Sequence, residues 1–352
     1  MSLIADAPQR ILIIRLSAIG DIIMTSALLP VLAEAYPEAK LSWLVEETSA
    51  SLLQGHPRLD TLYIWPRRRW GALWRERRYL TLFREFRQLA GALRRAHFDL
   101  VLDLQGLLKS GLWAWLSGGK LRIGLGSAEG SQWLMSKVVD NYTETRRLGS
   151  EYLKLAEEMG LNTDGFAMDI RPDAAAQAQA EAKLAASGVS GRFVVFCPFT
   201  TRPQKHWFED RWVQLAQRLA QEKGLQIVVL GGPSDRDSAE RLAAAVPGLL
   251  NLAGQTTLPE CAAIIDKASL LVGVDTGLTH LGTAMGTPTI ALFGSTRPYL
   301  KPGTERTKVL YAALACSPCR RHPSCEGRFD CMQWHTPDTV FAEATMLMET
   351  YS

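Results

Sequence analysis

The sequence predicts an α/β protein made of two open, mostly parallel sheets with helices on their faces. Three observations carry this. Short, continuous apolar runs of strand length alternate with helix-like segments along most of the chain, the pattern of parallel strands buried on both sides. The chain has 352 residues, long for one compact domain and comfortable for two. The stretch from Ser269 to Gly294, SLLVGVDTGLTHLGTAMGTPTIALFG, is a complete strand–turn–helix–strand unit.

In order, Ile11–Ile14 is expected as a buried strand and Arg15–Asp21 as the turn after it. Ile22–Tyr36 is expected as one helix, kinked at Pro30 and closed by Pro37. Strands come next at Leu41–Val45 and Thr61–Trp65, then a basic segment with a helix running to about Ala96. Phe98–Leu104 is the next buried strand, ending at Gln105-Gly106 before a helix that carries Lys109. The alanine-rich Asp173–Ser187 reads as a helix and Gly188–Gly191 as a break after it; the domain boundary is placed in this region, with the second domain beginning at Asp173. A second run begins with strand Phe193–Phe196, loop Thr200–Trp207, helix Glu209–Lys223 and strand Gln226–Leu230. The turn at 231–234 leads to helices Asp235–Val246 and Leu258–Lys267.

In the Ser269–Gly294 unit, Leu270–Val274 is the strand and Asp275-Thr276-Gly277 the turn. Leu278–Met285 is a helix stopped by Gly286, and Thr289–Phe293 is the next strand. Asp275 or Thr276 can cap the helix, and Gly277 lets backbone approach a ligand. The helix start at the carboxyl edge of a parallel sheet suits a phosphate. A bare carboxylate repels phosphate, so Asp275 fits better as a residue that orients the turn, a lysine or a sugar hydroxyl.

Composition narrows the class. With 47% hydrophobic and 21% charged residues, this is an ordinary globular chain. The first residues lack the pattern of a signal peptide, and no apolar run reaches membrane-spanning length, so a cytoplasmic protein touching membranes only from the side is expected. The net charge of +3 hides a stripe between Pro66 and Arg95 with ten Arg, two Glu and five aromatic residues. Such a stripe is either a solvated helix face or a surface that meets phosphates on nucleic acid or lipid. A dinucleotide site fits poorly, because Ser17–Asp21 and Gly231-Gly232 lack the three glycines of the fingerprint.

Four stretches occur in order: RLSAIGD at Arg15–Asp21, DLQGLLKS at Asp103–Ser110, TTRPQKHW at Thr200–Trp207, and GVDTGLTHLGTAMGTPTIALFG at Gly273–Gly294. In them the chain resembles glycosyltransferase family 9, the bacterial heptosyltransferases of lipopolysaccharide core assembly. The resemblance implies a GT-B fold, two Rossmann-like domains facing across a cleft: an acceptor-side domain over 1–172, and a nucleotide-sugar-binding one over 173–352. It also implies inverting transfer without a catalytic metal or other cofactor. The donor would be ADP-L-glycero-β-D-manno-heptose, and the acceptor the Kdo or first heptose of a lipid A core precursor. Work would be peripheral, at the inner face of the inner membrane, with no nucleic acid involved.

By the same resemblance, Asp21 is the general base, although an N-cap role for a helix starting at Ile22 is equally open to it. Lys205 would meet the departing diphosphate, with Thr200 and Thr201 as donors of hydrogen bonds. Asp275, Thr276, Gly277 and His280 would form the nucleotide-binding turn, with His280 open also to a packing role. Arg67, Arg68 and Arg69 would serve the anionic acceptor. Two departures stand out. Residues 124–132, GLGSAEGSQ, supply none of the arginines that heptosyltransferase I carries there. The tail holds Cys316, Cys319, Cys325 and Cys331, an alternative zinc site through four thiolates, or else free or redox-sensitive thiols. Cys197 and Cys261 read as core residues. Two rival functions are a family 9 enzyme with another donor or acceptor, and a non-catalytic phosphate- or nucleic-acid-binding protein.

Overall fold

The computed structural model describes residues 3–4, 6–144 and 147–351. Contacts divide the chain into two compact units: Met1–Thr145 with Gly149–Arg171, and Arg146–Leu148 with Pro172–Ser352. The first contains β1 (Arg10–Ile14), α1 (Ile19–Thr25), α2 (Leu28–Ala35), β2 (Lys40–Glu46), β3 (Thr61–Trp65), α3 (Arg67–Arg75) and α4 (Tyr79–Arg95). It continues with β4 (Leu100–Asp103), α5 (Leu108–Leu116), β5 (Leu121–Leu125), β6 (Lys137–Val139) and α6 (Ser150–Glu158).

All pairings in this unit's sheet are parallel, in the order β3-β2-β1-β4-β5-β6. The alternation of the pleat explains the unbroken apolar runs. Ile11 and Ile13 face one way, into a core with Leu28, Leu32 and Tyr152, while Leu12 and Ile14 face the other, against Leu93, Phe98 and Trp113.

The helix expected from Ile22 to Tyr36 is two helices, and it starts earlier. The break falls at Ser26-Ala27, where the Ser26 hydroxyl bonds back to Ile23 O at 2.6 Å and accepts the Asp169 amide at 2.9 Å. Pro30 makes no kink. It is the third residue of α2, inside the first turn, where an N–H has no intrahelical partner to lose.

The second unit contains α7 (Ala174–Ala186), β7 (Phe193–Cys197), α8 (Glu209–Lys223), β8 (Gln226–Val229), α9 (Arg236–Ala245), β9 (Leu250–Asn251) and α10 (Leu258–Asp266). Then come β10 (Leu270–Val274), α11 (Gly277–Met285), β11 (Thr289–Phe293), β12 (Thr307–Tyr311), α12 (Asp330–Gln333) and α13 (Pro337–Tyr351). Its sheet is again parallel, in the order β12-β11-β10-β7-β8-β9.

Counted from its own first strand, this order repeats that of the first unit. Each sheet therefore reverses direction once, between β1 and β4 in one and between β7 and β10 in the other. Loops leaving the carboxyl ends of such strand pairs are where open α/β sheets bind ligands. Val194 and Phe196 pack on Trp212, Leu215 and Leu219 of α8 and on Val340 and Ala344 of α13. Among the described residues no helix is long and apolar enough to cross a membrane.

Candidate functional site

In the first unit the switch point holds Asp21. It lies in the third position of α1, not at the N-cap, which Ala18 occupies. Asp21 Oδ2 accepts the Ala18 amide at 3.1 Å and pairs with Arg15 Nη2 at 2.6 Å. Its other oxygen, Oδ1, makes no hydrogen bond among the described residues. Arg15, the residue after β1, is mostly withdrawn from solvent and donates also to Leu104 O. Burial works against its charge, but Tyr152 and Asp21 outweigh this and raise its pKa. The loop is fixed from β4: Gln105 Oε1 accepts the amides of Leu16 and Ser17 at 3.1 and 3.2 Å. Trp43 Nε1 donates to Arg15 O at 3.1 Å. The arrangement presents one carboxylate oxygen on a rigid helix start, with a cation behind it.

The second unit's switch point has the opposite order of charges. Lys205 ends a short 3₁₀ turn, Pro203–Lys205, after β7. Its Nζ reaches Asp275 twice, Oδ2 at 2.5 Å and the main-chain O at 2.9 Å. Thr296 Oγ1 donates to Asp275 Oδ2 at 2.6 Å, and His280 Nε2 lies 3.6 Å from Oδ1. Burial alone would raise the Asp275 pKa. Lys205, then His280, outweigh it and hold the carboxyl below its ordinary range. His280 Nδ1 in turn meets the Tyr299 hydroxyl at 2.8 Å, and burial pushes that phenol far up.

Thr276 sits at the N-cap of α11 but its side chain makes no capping bond; Thr279 instead donates to Val274 O at 2.6 Å. The amides of Gly277 and Leu278, in the first turn, point out of the helix start. Gly273 and Gly282 let α11 lie close to the sheet. A Cβ on Gly273 would strike the Thr279 hydroxyl and meet Cys197 Cβ at 3.0 Å, and one on Gly282 would strike Thr289 Oγ1.

Thr200 and Thr201 lie in the loop between β7 and Lys205, where His206 Nε2 meets Thr200 O at 2.8 Å. The structure thus brings Lys205, Asp275 and His280 together within the second unit, with Thr276 and Gly277 at the adjoining helix start. Sequence reasoning missed Arg15, Gln105, Thr296 and Tyr299. For Arg15 and Gln105 a signal existed, a polar residue directly after a buried strand at a sheet's carboxyl edge; Thr296 and Tyr299 gave none.

The three arginines at the start of α3 have different surroundings. Arg69 is bidentate on Glu85 of α4, with Nη2 to Oε1 at 2.7 Å. Arg67 Nη1 lies 3.5 Å from Glu46, which Lys109 also reaches at 3.2 Å. The Arg68 amide donates to Glu47 at 2.8 Å, and its side chain is exposed.

The tail cysteines, read as a zinc site or as free thiols, lie in α12 and the segment before it. Among the described residues no three or more His, Cys, Asp or Glu side chains gather as a metal requires. All four tail cysteines are free. Cys331 is buried in α12, its Sγ 2.7 Å from where a Cβ on Gly294 would stand, whereas Cys316 is exposed. The segment is tied to backbone near the Lys205 loop. Arg320 N donates to Ser295 O at 2.6 Å, and Gln204 Nε2 to Arg320 O at 3.0 Å. Cys197 and Cys261 are core residues, as expected.

Comparison with known proteins agrees with this geometry. The pattern of glycosyltransferase family 9 (heptosyltransferase) matches residues 86–329. Lipopolysaccharide heptosyltransferase 1 of Pseudomonas aeruginosa is 32% identical over 330 residues, covering 88% of this chain and 86% of that one. Lipopolysaccharide heptosyltransferase 2 of Escherichia coli is 26% identical over 354 residues, 97% and 99% of the two chains. Among solved structures, a family 9 glycosyltransferase from Veillonella parvula superposes with a TM-score of 0.82 at 20% identity, over 97% of each chain. The E. coli heptosyltransferase WaaC with ADP-2-deoxy-2-fluoro heptose gives 0.73 at 26%, over 97% of this chain and 100% of that. The α/β, GT-B fold class expected from the sequence is borne out. With its family pattern spanning most of its length, the chain belongs to glycosyltransferase family 9, the heptosyltransferases.

Proposed function

We propose that the protein is an inverting, metal-independent heptosyltransferase. It moves heptose from ADP-L-glycero-β-D-manno-heptose to the Kdo or first heptose of a lipid A core precursor at the inner face of the inner membrane. The observation that supports this most is the pair of oppositely arranged charges at the two switch points, each held by partners from its own unit.

The acceptor oxygen attacks the anomeric carbon on the face opposite ADP while the bond from that carbon to the diphosphate oxygen breaks. Asp21 Oδ1 takes the hydroxyl proton. That proton becomes acidic only as the new glycosidic bond forms, so a carboxylate suffices as base. The transition state has oxocarbenium character. The bond's electron pair leaves with ADP. Its growing negative charge meets Lys205, the amides at the start of α11, and the hydroxyls of Thr200 and Thr201, groups set in place before reaction.

Asp275 is the positioning group in this reading. With its pKa held down it stays ionised, and its carboxylate and main-chain oxygens hold the Lys205 side chain in place. His280 and Tyr299 steady Asp275 from the other side. Arg67 and Arg68 serve the anionic inner core, and Arg69 braces α3 against α4.

The decisive experiment incubates purified protein with ADP-heptose and either Kdo2-lipid A or its singly heptosylated product, and tracks ADP release and product mass. Transfer to one acceptor and not the other assigns the acceptor. ADP release with neither acceptor, but with another sugar nucleotide or another acceptor, would overturn the proposal.

A further inference from the structure

The helical hairpin α3–α4 carries more apolar surface than its fold requires. Its root is anchored by packing: Trp70, Phe86, Trp65 and Trp113 form one aromatic cluster, with ring centroids 5.5–6.3 Å apart. The Glu85 carboxylate clamps the two helices, taking Arg69 and also Trp70 Nε1 at 3.0 Å. The turn between them is tight. Arg77 adopts a left-handed φ of 57°, and the Arg78 amide bonds to Leu73 O at 2.9 Å while that of Arg77 bonds to Trp74 O at 3.1 Å. This double bond pattern closes a helix firmly even though the left-handed residue is not glycine.

Beyond this anchored root, the tip exposes large apolar side chains. Leu80 is 88% and Trp74 63% exposed, and Tyr79 and Phe83 are each at least half exposed. Between the helices lies an open groove of about 610 Å³ lined by Trp70, Trp74, Tyr79, Leu82, Phe83 and Phe86, nearly all carbon. An apolar patch of this kind, ringed by polar groups, marks an interaction surface. The ring is cationic, for all ten arginines from Arg67 to Arg95 are exposed. Only two acids share the segment, and both are engaged, Glu85 by Arg69 and Glu76 by Arg78 at 3.7 Å.

We propose that the α3–α4 tip is a membrane-docking element that lays Trp74, Tyr79, Leu80 and Phe83 into the headgroup–acyl boundary of an anionic bilayer, with the surrounding arginines on lipid phosphates. Charge complementarity and side-chain chemistry favour this partner. Trp and Tyr suit the interface because one end of each ring is polar and the other apolar. Leu and Phe enter the upper acyl region, and the arginines supply attraction to anionic lipid. A nucleic acid would use the arginines and aromatic faces but leaves the most exposed residue, Leu80, facing water. Docking of this kind is independent of which sugar is transferred. It rests on the proposed function only in that the surface would bring the enzyme to a lipid-borne acceptor.

The test uses the full chain without either substrate. Vesicles of phosphatidylethanolamine with about a third phosphatidylglycerol are sedimented with wild type, with Leu80→Glu/Phe83→Ser, and with Arg75→Gln/Arg78→Gln/Arg84→Gln. Wild type should co-sediment at low salt and be released by salt. Each variant should bind at least about tenfold more weakly, the first at all salt concentrations and the second chiefly at low salt. In vesicles of brominated lipid, Trp fluorescence should be quenched in wild type and less so in Trp74→Phe.

Unchanged vesicle binding by Leu80→Glu/Phe83→Ser, with folding confirmed by circular dichroism, would overturn the inference. So would salt-sensitive binding to random-sequence RNA alongside none to vesicles. Turnover of a delipidated acceptor by that variant should equal wild type. Vesicle binding without any heptosyl transfer would sink the proposed function and leave the docking surface standing.

Discussion

The two units share a strand order, yet they treat their switch-point ion pairs in opposite ways. In the first, the cation is the support. Arg15 has a side chain 12% exposed, and the acid it holds, Asp21, is 34% exposed. In the second, both members are withdrawn, Lys205 at 16% and Asp275 at 13%, and the acid is the one tied down by further partners. One unit offers a carboxylate with one oxygen that makes no hydrogen bond among the described residues. The other offers a lysine fixed by a carboxylate whose pKa its neighbours hold down. Topology alone therefore does not assign a chemical role; the side chains in the loop after each strand do.

The largest effect should come from the offered carboxylate. Asp21→Asn keeps the size and the contact with Arg15 but cannot accept a proton. kcat should fall by roughly 10²–10⁴ with little change in ADP affinity, read by steady-state kinetics and calorimetric titration. Arg15→Gln should cost less activity than Asp21→Asn, since the carboxylate remains and water can replace part of its support. Near wild-type kcat for Asp21→Asn would falsify the assignment of the base.

In the second unit the same operation should read out differently. Lys205→Ala should weaken ADP binding and slow turnover together, because in the proposed mechanism the lysine meets the diphosphate before as well as during reaction. Asp275→Asn strands a mostly buried lysine charge and should cost stability as well, about 3 kcal/mol as for other broken buried pairs. Arg15→Gln leaves behind an acid that water can reach, so its melting temperature should fall less. Equal losses for the two would dissolve the contrast between the units.

Much of this contrast was visible in the sequence only as residue types. The strands that build the switch points, such as Ile11–Ile14 and Leu270–Val274, are short apolar runs and were legible as such. So were Asp21, Lys205 and Asp275, through the stretches in which they occur. Boundaries were less legible where capping was unusual. Ala18, which has no side chain able to cap, begins α1, and Asp21 reaches back to its amide from one turn later; a search for Ser, Thr or Asp at the N-cap therefore starts the helix too late. Short strands such as Lys137–Val139 and Leu250–Asn251 carry too few residues to show a period. Partnerships were not legible at all. Nothing local says that Gln105 holds the Arg15–Asp21 loop or that Thr296 and Tyr299 stand behind Asp275, because each bond joins residues distant in sequence.

Glycines at the two switch points offer a finer test. Gly106 lies beyond β4 with φ of 67°, and a Cβ there would come within 2.5 Å of Leu125 O and 2.9 Å of Gly126 O. Gly273 in β10 would meet mainly the Thr279 hydroxyl. Backbone oxygens cannot step aside, whereas a hydroxyl can rotate at the cost of its bond to Val274 O. Gly106→Ala should therefore cost about 2–4 kcal/mol and Gly273→Ala about 1–2, by denaturant melts. The reverse order would mean that the sheet edge at Gly106 is softer than its contacts imply.

The smallest effect concerns a carboxylate that serves only structure. Asp169, in the first unit, takes Arg58 and Arg171 at 2.7 Å each and lies 3.6 Å from His56 Nε2. Burial works to raise its pKa, but His56 and Arg171 prevail and bring it to about 2. Its folded pKa thus lies below the unfolded value near 3.9, so it stabilises fully above that value and loses the contribution as pH falls toward 2. Asp169→Asn, which mimics the protonated form in shape, should be less stable than wild type by about 1–2 kcal/mol at pH 6. The two proteins should then converge as pH drops from 4 to 2, because wild type is losing what the variant never had. Thermal melts at pH 6, 4, 3 and 2 would show it. A gap of the same size at pH 2 and pH 6 would mean that the asparagine disturbs packing around Ser26 and His56, and that charge contributes nothing there.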